Sequence, residues 1–257
     1  MALERAPNVE WVQLGVAGID RYAEAGLLDG GITWTSAKGA FAEPVAEHAL
    51  ALVLALLREL PMRARATRWG APRGRSLHGA RVLLIGGGGI AIELLRLLTP
   101  WRVETVVLRR STAPIPGANR TMPIEALDEQ LPLADVVVLT TPLTPQTRHL
   151  LDARRLGMMR PDAVLVNVAR GAIVDMHALI GALDAGTIAG AGLDVTDPEP
   201  LPEGHPFWAH PRALVTPHTA DTPEMTRPLL AVRIEENVRR FLAGEPLEGI
   251  VDPLLGY

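Results

Sequence analysis

A strand pattern, a glycine-rich turn and a helix pattern follow one another directly in the first half of the chain. Arg81–Ile85 (RVLLI) predicts a buried strand, and residues 90–98 have the apolar spacing that is typical of a helix. The turn between them, GGGGIA, fits the dinucleotide-binding pattern G-x-G-x-x-G/A, with Gly86, Gly88 and Ala91 at its fixed positions. A flexible loop alone would look the same. With both flanks, the segment predicts an α/β unit that holds a diphosphate at a helix N-terminus.

Apolar runs recur along the rest of the chain and alternate with helical patterns. The predicted strands are residues 81–85, 105–108, 135–140, 163–167, 191–195 and 213–216. The clearest helical patterns are 90–98, 123–130 and 175–185, the last with Asp175 as its N-cap and Gly186 just past its end. This alternation predicts a parallel sheet with right-handed crossovers. The predicted fold class is therefore α/β, a doubly wound parallel sheet of the Rossmann type.

An arginine, a glutamate and a histidine each follow one of the last three predicted strands. They are Arg170 in LVNVARG, Glu199 in AGLDVTDPEP and His218 in ALVTPH. Ligands of open parallel sheets bind outside the carboxyl ends of the strands, so the three side chains can converge on one small molecule. Each could instead have a structural role, as a core ion pair, a solvated loop acid or a turn cap. Their combination beside a dinucleotide loop favours a shared site.

The three residue types suit the interconversion of a 2-oxo acid and a 2-hydroxy acid. Arginine holds a carboxylate through two parallel hydrogen bonds, and histidine can give or take the hydroxyl proton near neutral pH. A carboxylate bonded to that histidine fixes its tautomer and favours the imidazolium. No side chain supplies a hydride, so this chemistry requires a nicotinamide.

The ordered set GGGGIA, NVARGAIVD, GAGLDVTDPEPLP, HPFW and VTPHTA resembles the D-isomer-specific 2-hydroxyacid dehydrogenase family. The similarity extends upstream to WVQLGVAGID and PVAEHALALVLALLREL, and downstream to ENVRRFLAGEPL, so it covers nearly the whole chain. The resemblance implies that Arg170 binds substrate, that Glu199 pairs with the catalytic histidine, and that His218 is the acid/base.

The resemblance also assigns contacts around the cofactor and the substrate. It implies that Gly89 and Ile90 contact the pyrophosphate. It also implies that Val168 and Asp194 lie beside the nicotinamide carboxamide. Backbone contacts to the substrate carboxylate are implied for Val16, Ala17 and Gly18. Thr141 and Pro142 follow the third predicted strand and are expected to edge the cofactor pocket.

The end of the second predicted strand bears on which cofactor is used. NAD sites normally carry an acid about 20 residues past the glycines, to hold the ribose 2′-hydroxyl. This chain has Arg109, Arg110 and Ser111 there, and Glu104 lies at the opposite end of the strand. Two guanidiniums and a hydroxyl suit a 2′-phosphate, so the sequence favours NADP(H) over NAD(H). The alternative is that one arginine stacks on adenine while the other is solvated.

Composition agrees with an enzyme that acts on a small molecule. A net charge of −4 gives no electrostatic footprint for nucleic acid, and the absence of cysteine excludes disulfides and thiolate zinc sites. Scattered His and Asp predict no metal site. The longest apolar run, 49–57, is too short to span a membrane, and the N-terminus lacks the apolar core of a secretory signal. The arginine-rich segment 63–75 is interpreted as a solvated connector, and the cytoplasm is the expected location.

Two domains are predicted, of which one is discontinuous. Residues 1–43 and 222–257 are assigned to a smaller flavodoxin-like substrate domain, and residues 44–221 to the dinucleotide-binding domain. By resemblance, a largely buried helix at 44–60 joins the domains and lies in a homodimer interface, while an amphipathic helix at 229–241 returns to the first domain. Compared with the family, the substrate domain is incomplete. A misassigned start, a truncation and a genuinely reduced lobe are equally open readings.

The favoured function is NAD(P)-dependent reduction of a 2-oxo acid to a D-2-hydroxy acid, with glyoxylate or hydroxypyruvate as substrate. The alternative is a non-catalytic cofactor-binding interaction protein, or a decayed enzyme, which a shortened substrate lobe would permit. The presence of all three candidate catalytic residues, Arg170, Glu199 and His218, argues against that alternative. Two further features are interpreted structurally, namely His48 at the start of the long helix and the aromatic pair Phe207 and Trp208, which could instead shape a substrate pocket.

Overall fold

The computed structural model describes residues 8–28 and 31–252. By their internal contacts, the residues form two compact units, one comprising Met1–Ala42 with Asp221–Tyr257 and the other Glu43–Ala220. The larger unit contains the glycine loop and all three candidate catalytic side chains. The roles of the two units as substrate and dinucleotide-binding domains stay predictions.

Strands and helices alternate along most of the described chain. The strands are β1 Trp11–Gln13, β2 Thr33–Thr35, β3 Arg81–Ile85, β4 Glu104–Arg109, β5 Arg120–Pro123, β6 Val136–Leu139, β7 Val164–Asn167, β8 Gly190–Leu193 and β9 Ala213–Val215. The helices are α1 Asp20–Glu24, α2 Ala42–Leu57, α3 Leu60–Arg63, α4 Gly89–Leu98, α5 Leu127–Gln130, α6 Ala153–Leu156, α7 Met176–Ala185, α8 Pro206–Ala209 and α9 Pro223–Ala243.

The larger unit is built on one parallel sheet of seven strands. Their order is β5-β4-β3-β6-β7-β8-β9, and every neighbouring pair is parallel. The order reverses between β3 and β6, which is the topological switch point of a doubly wound sheet. The predicted fold class is confirmed. The switch point also places the glycine loop, which follows β3, where such sheets bind their ligands.

Alternate residues of the strands pack into two separate hydrophobic cores, one on each face of the sheet. On β3, Leu83 and Ile85 belong to the cluster that contains the buried side of α7, whereas Val82 and Leu84 belong to the cluster that contains α2 and α4. Every residue of β6 (VVVL) is buried. Strands covered on both faces need such continuous apolar runs, which is why these segments were recognisable as strands.

The ends of α7 match their sequence signals. The side chain of Asp175 accepts a hydrogen bond from the backbone N–H of Ala178, and Gly186 terminates the helix with a φ of 69°. Both features are the usual capping devices of helices. The predictions of Asp175 as the N-cap and of Gly186 as the end are confirmed.

The predicted helix at 44–60 is wrong at its C-terminal end. Helix α2 ends at Leu57, Glu59 adopts a φ of 51°, and the short helix α3 follows. Pro61 has no N–H to donate to the carbonyl of Leu57, and its ring would clash with that carbonyl in a continuous helix. The N–H of Arg75 donates to this carbonyl instead, at 2.7 Å.

Arg75 also corrects the interpretation of segment 63–75 as wholly solvated. Its guanidinium pairs with Asp135 at 3.2 Å and with Asp162 at 2.9 Å. These contacts fix the end of the connector beside β6 and β7. Arg63 at its start belongs to α3, so the solvated stretch is limited to residues 64–74.

Two other boundaries differ from prediction. The helix predicted at 123–130 is wrong in its first half, because Arg120–Pro123 forms strand β5, Ile124–Ala126 forms a 3-10 turn, and α5 begins only at Leu127. Proline is tolerated in β5 because this strand lies at the edge of the sheet. Helix α9 is longer than the predicted 229–241, since it begins at Pro223.

The smaller unit contains a parallel pair of strands, β1 and β2, with helices α1 and α9. Its core is formed by Leu14, Ile19, Leu28, Trp34 and Val251. The side chain of Asn237 on α9 is fully buried and donates to Oε1 of Gln13 at 2.8 Å. Within the residues described, no helix combines the length and apolar character needed to cross a bilayer.

Candidate active site

The first turn after β3 is shaped by a glycine that no other residue could replace without movement. Gly86 has a φ of 114°, and a Cβ built on it would lie 2.6 Å from the carbonyl carbon of Thr140 and from the nitrogen of Thr141. The glycine loop therefore packs directly on the backbone that follows β6. Thr141 and Pro142, predicted to edge a cofactor pocket, lie next to this contact.

The next part of the loop opens onto free space at a helix N-terminus. Gly88 is the N-cap of α4, no side chain caps the helix, and a Cβ on Gly88 would have no neighbour within 4 Å. Helix α4, which starts with Gly89 and Ile90, thus presents its first N–H groups without a side-chain acceptor. Such an end suits an anionic diphosphate, so the residues fit the dinucleotide that the sequence predicts.

The arginine-rich end of β4 lies beside the same loop. A Cβ on Gly87 would lie 3.0 Å from Cδ of Arg109, so the stem of this arginine runs along the glycine turn. Arg110 is exposed directly after the strand, and Oγ of Ser111 accepts the N–H of Ala113 at 3.2 Å. A hydroxyl that accepts one bond can still donate its own hydrogen. Arg109 therefore lies beside the glycine turn, and Arg110 and Ser111 follow it directly in the chain.

A buried asparagine shapes the loop that carries Arg170. Asn167 ends β7, donates through Nδ2 to the carbonyl of Arg170 at 2.9 Å, and accepts the N–H of Ala169 at 3.0 Å. Nη1 of Arg170 donates to the carbonyl of Ala169 at 2.7 Å. Sequence reasoning missed Asn167, although a polar residue that ends an apolar strand was the available signal. Val168, predicted to lie beside the nicotinamide, is buried in this loop.

The loop that carries Glu199 touches the loop that carries Arg170. A Cβ on Gly171 would lie 2.0 Å from the carbonyl of Thr196, so only glycine allows the two backbones to meet. The residues after β7 and β8 are thereby held against each other at the carboxyl edge of the sheet.

Glu199 and His218 form a hydrogen-bonded pair across two neighbouring strand ends. Nδ1 of His218 lies 2.7 Å from Oε1 of Glu199, and the histidine side chain is 45% exposed. Because a carboxylate only accepts, this bond places a proton on Nδ1. The second ring nitrogen, Nε2, is then left for a ligand, which is the arrangement that an oriented acid/base histidine needs.

A buried aspartate holds the turn on which His218 sits. Oδ1 of Asp194 accepts the hydroxyl of Thr216 at 2.6 Å and the N–H of Thr219 at 2.9 Å, while Oδ2 accepts the N–H of Ala220 at 3.1 Å. The carbonyl of Asp194 accepts the N–H of His218 at 2.8 Å. His218 itself has a φ of 51°, a left-handed conformation that costs energy and needs such support. The sequence assigned Asp194 to the cofactor and gave no sign of this second task.

A pocket of about 180 Å³ adjoins the histidine pair. It is lined by polar groups of the two loops and by apolar side chains, among them Leu201, Trp208 and Val215. Nε1 of Trp208 donates to the carbonyl of Pro202 at 3.0 Å, which fixes the indole at the rim. Phe207, by contrast, is buried in the core at 1% exposure. Phe207 is thus a packing residue, as interpreted from the sequence, and Trp208 lines the pocket; a part for Trp208 in binding substrate stays the alternative.

The residues predicted to contact the substrate carboxylate lie in the smaller unit. Val16, Ala17 and Gly18 follow β1, and the carbonyl of Val16 accepts the N–H of Ala37 at 2.9 Å. Their assignment to the substrate stays a prediction. Within the larger unit, the structure brings Glu199 and His218 into contact.

Comparisons with known proteins identify one family to which the chain is similar. The family model described as D-isomer specific 2-hydroxyacid dehydrogenase, NAD binding domain, matches residues 50–220. Glyoxylate/hydroxypyruvate reductase A of Photorhabdus laumondii is 36% identical over 82% of this chain and 68% of its own length. A solved D-isomer specific 2-hydroxyacid dehydrogenase of Xanthobacter autotrophicus Py2, in complex with NADPH and MES, is 36% identical with a TM-score of 0.89, covering 99% of this chain and 81% of that one. The NADPH-dependent glyoxylate/hydroxypyruvate reductase of Sinorhizobium meliloti, solved with NADP and sulfate, is 28% identical with a TM-score of 0.89, covering 100% and 83%.

Proposed function

Because this chain belongs to the D-isomer specific 2-hydroxyacid dehydrogenase family and is an NAD(P)-dependent enzyme, we propose that it reduces a small 2-oxo acid to the D-2-hydroxy acid. Glyoxylate and hydroxypyruvate are the favoured substrates, since similar proteins carry those substrates in their names. The observation that carries the proposal is the 2.7 Å bond between Glu199 and Nδ1 of His218, which leaves Nε2 for the substrate. Homodimer formation and a cytoplasmic location stay predictions.

The protein side chains supply binding and the proton. Arg170 would exchange its bond to the carbonyl of Ala169 for the substrate carboxylate, which its planar fork binds in a fixed orientation. His218 would donate the proton on Nε2 to the carbonyl oxygen as that oxygen gains negative charge. Glu199 would stabilise the imidazolium that precedes this transfer. When bound, the reduced nicotinamide supplies the hydride that ends on the second carbon of the acid.

A panel of 2-oxo acids tests the proposed activity. With purified protein and either NADPH or NADH, we expect absorbance at the reduced-cofactor wavelength to fall with glyoxylate or hydroxypyruvate. Tight cofactor binding without oxidation by any acid of the panel would contradict the proposal and favour a non-catalytic binding protein.

We further propose that the enzyme prefers NADP(H). The support is the position of Arg109 along the glycine turn, with Arg110 and Ser111 directly after it. Charge-assisted bonds to a 2′-phosphate are roughly twice as strong as neutral ones, whereas the 2′-hydroxyl of NADH offers no charge. A higher kcat/KM with NADH than with NADPH would contradict this assignment.

Removing the charge of Arg110 should weaken the use of NADPH and leave the use of NADH nearly unchanged. We expect Arg110→Ala to raise the KM for NADPH about 10- to 100-fold, the equivalent of losing charge-assisted hydrogen bonds, and to leave the KM for NADH nearly unchanged. Arg120→Ala, at the start of β5, is the matched control and should change neither value. An equal loss with both cofactors would instead indicate that the arginine stacks on adenine.

A further inference from the structure

Helix α2 packs unusually closely on strand β8 because the strand offers two glycines. A Cβ on Gly192 would lie 3.1 Å from Cβ of Leu52, and a Cβ on Gly190 would lie 3.2 Å from Cδ2 of Leu56. Both distances are tighter than ordinary contacts between side chains. The glycines therefore fix both the separation of helix and strand and the register in which they meet.

This register can be followed along both elements. Alternate residues of a strand share a face, and so do residues four apart in a helix. Two strand residues advance about 6.6 Å and four helical residues advance about 6 Å, so the two repeats stay in step. Leu56 lies on Gly190 and Leu52 on Gly192, so the next step pairs His48 with Asp194.

The structure shows the contact that this register predicts. Nε2 of His48 lies 2.9 Å from Oγ1 of Thr216 and 3.5 Å from Oδ1 of Asp194. The hydroxyl of Thr216 has one hydrogen, and its 2.6 Å bond to the acceptor-only carboxylate uses it. The hydroxyl must then accept from the ring, so His48 carries a proton on Nε2. His48 thus donates to the hydroxyl of Thr216, and that hydroxyl donates to the carboxylate of Asp194.

We propose that His48 is a positioning residue for the catalytic turn, acting through Thr216 and Asp194 on the conformation of His218. The inference rests on the proposed function for its kinetic effect. Its structural part does not, because Asp194 accepts the N–H groups of Thr219 and Ala220 whether or not a substrate is present. His48, which the sequence analysis interpreted as a structural residue of the long helix, is thereby assigned to the support of the active site.

Amide exchange tests the structural part without any substrate. In His48→Phe, which keeps an aromatic ring and removes the donor, we expect hydrogen exchange of the peptide spanning 216–220 to become about tenfold faster. His177→Phe, on the exposed side of α7, is the matched control and should leave that peptide unchanged. Unchanged exchange in the His48 variant would overturn the proposal.

Kinetics test the functional part. We expect His48→Phe to lower kcat by about 10- to 100-fold, because a displaced catalytic group costs about that much, with little change in the KM for cofactor. His48→Gln can donate from nearly the same place and should recover most of the rate. Faster exchange without any loss of kcat in an active enzyme would overturn the positioning role.

The relay also predicts a specific non-additivity. Thr216→Val removes the hydroxyl that links the ring to the carboxylate, so the double variant with His48→Phe should be no slower than Thr216→Val alone. Losses of kcat that multiply would mean that the two residues act separately, and this would count against the relay. If the His48 variants do not fold, Thr216→Val still tests the relay, because the link from the ring to Asp194 runs through this hydroxyl, and unchanged exchange of the 216–220 peptide in that variant would overturn the proposal.

Discussion

Replacing His218 with alanine should lower kcat for the 2-oxo acid by about 10²- to 10⁴-fold, the range that general acid catalysis contributes, while the Kd for NADPH stays nearly the same. The imidazole is 45% exposed and bonds through Nδ1 to Glu199, so its removal leaves no buried polar atom without a partner. The turn is held by the backbone N–H groups of Thr219 and Ala220, which donate to the carboxylate of Asp194. The substitution leaves these bonds in place. The loss should therefore appear in the chemical step and leave folding intact.

The measurement pairs steady-state kinetics with cofactor binding followed by fluorescence. His177→Ala removes an exposed histidine of α7 and controls for the loss of an imidazole as such. A His218→Ala enzyme with wild-type turnover would contradict the acid/base assignment. A variant that loses cofactor affinity as strongly as turnover would show that the histidine acts on binding.

The strands, and the candidate catalytic residues that follow them, were predictable because their sequence signals are local. Runs such as VVVL at β6 must be buried on both faces, and the polar residues Arg170 and His218 lie directly after such runs. Strand β5 was missed because its four residues, RTMP, include an exposed arginine and a proline. An edge strand needs little apolar content, and it therefore leaves little trace in the sequence.

The support of the site was not predictable, because it depends on tertiary contacts. His48 and Thr216 are 168 residues apart, and their bond exists only because α2 meets β8 in one register. The same holds for Asp194, whose two oxygens collect donors from a turn more than 20 residues later. Residue type suggested what these side chains can do, but only the fold shows which partner each one has.

Replacing Gly171 with alanine should cost both stability and activity. The added Cβ would lie 2.0 Å from the carbonyl carbon and oxygen of Thr196 and 2.5 Å from the nitrogen of Asp197. These neighbours are backbone atoms, so the loop with Arg170 and the loop with Glu199 would have to separate. Overpacking of this kind costs about 1–3 kcal/mol, and a displacement near 1 Å at a reacting group can cost about 100-fold in rate.

Gly181 provides a control in which the same substitution has the opposite sign. It lies inside α7, and a Cβ there would meet no atom within 4 Å, so Gly181→Ala should stabilise the protein by about 0.5–1 kcal/mol. Thermal unfolding and kcat/KM of both variants give the comparison. We expect a lower Tm and a large loss of kcat/KM for Gly171→Ala, against an equal or higher Tm and unchanged kcat/KM for Gly181→Ala. If Gly171→Ala kept wild-type kcat/KM, the contact between the two loops would not be what aligns Arg170 with the histidine pair.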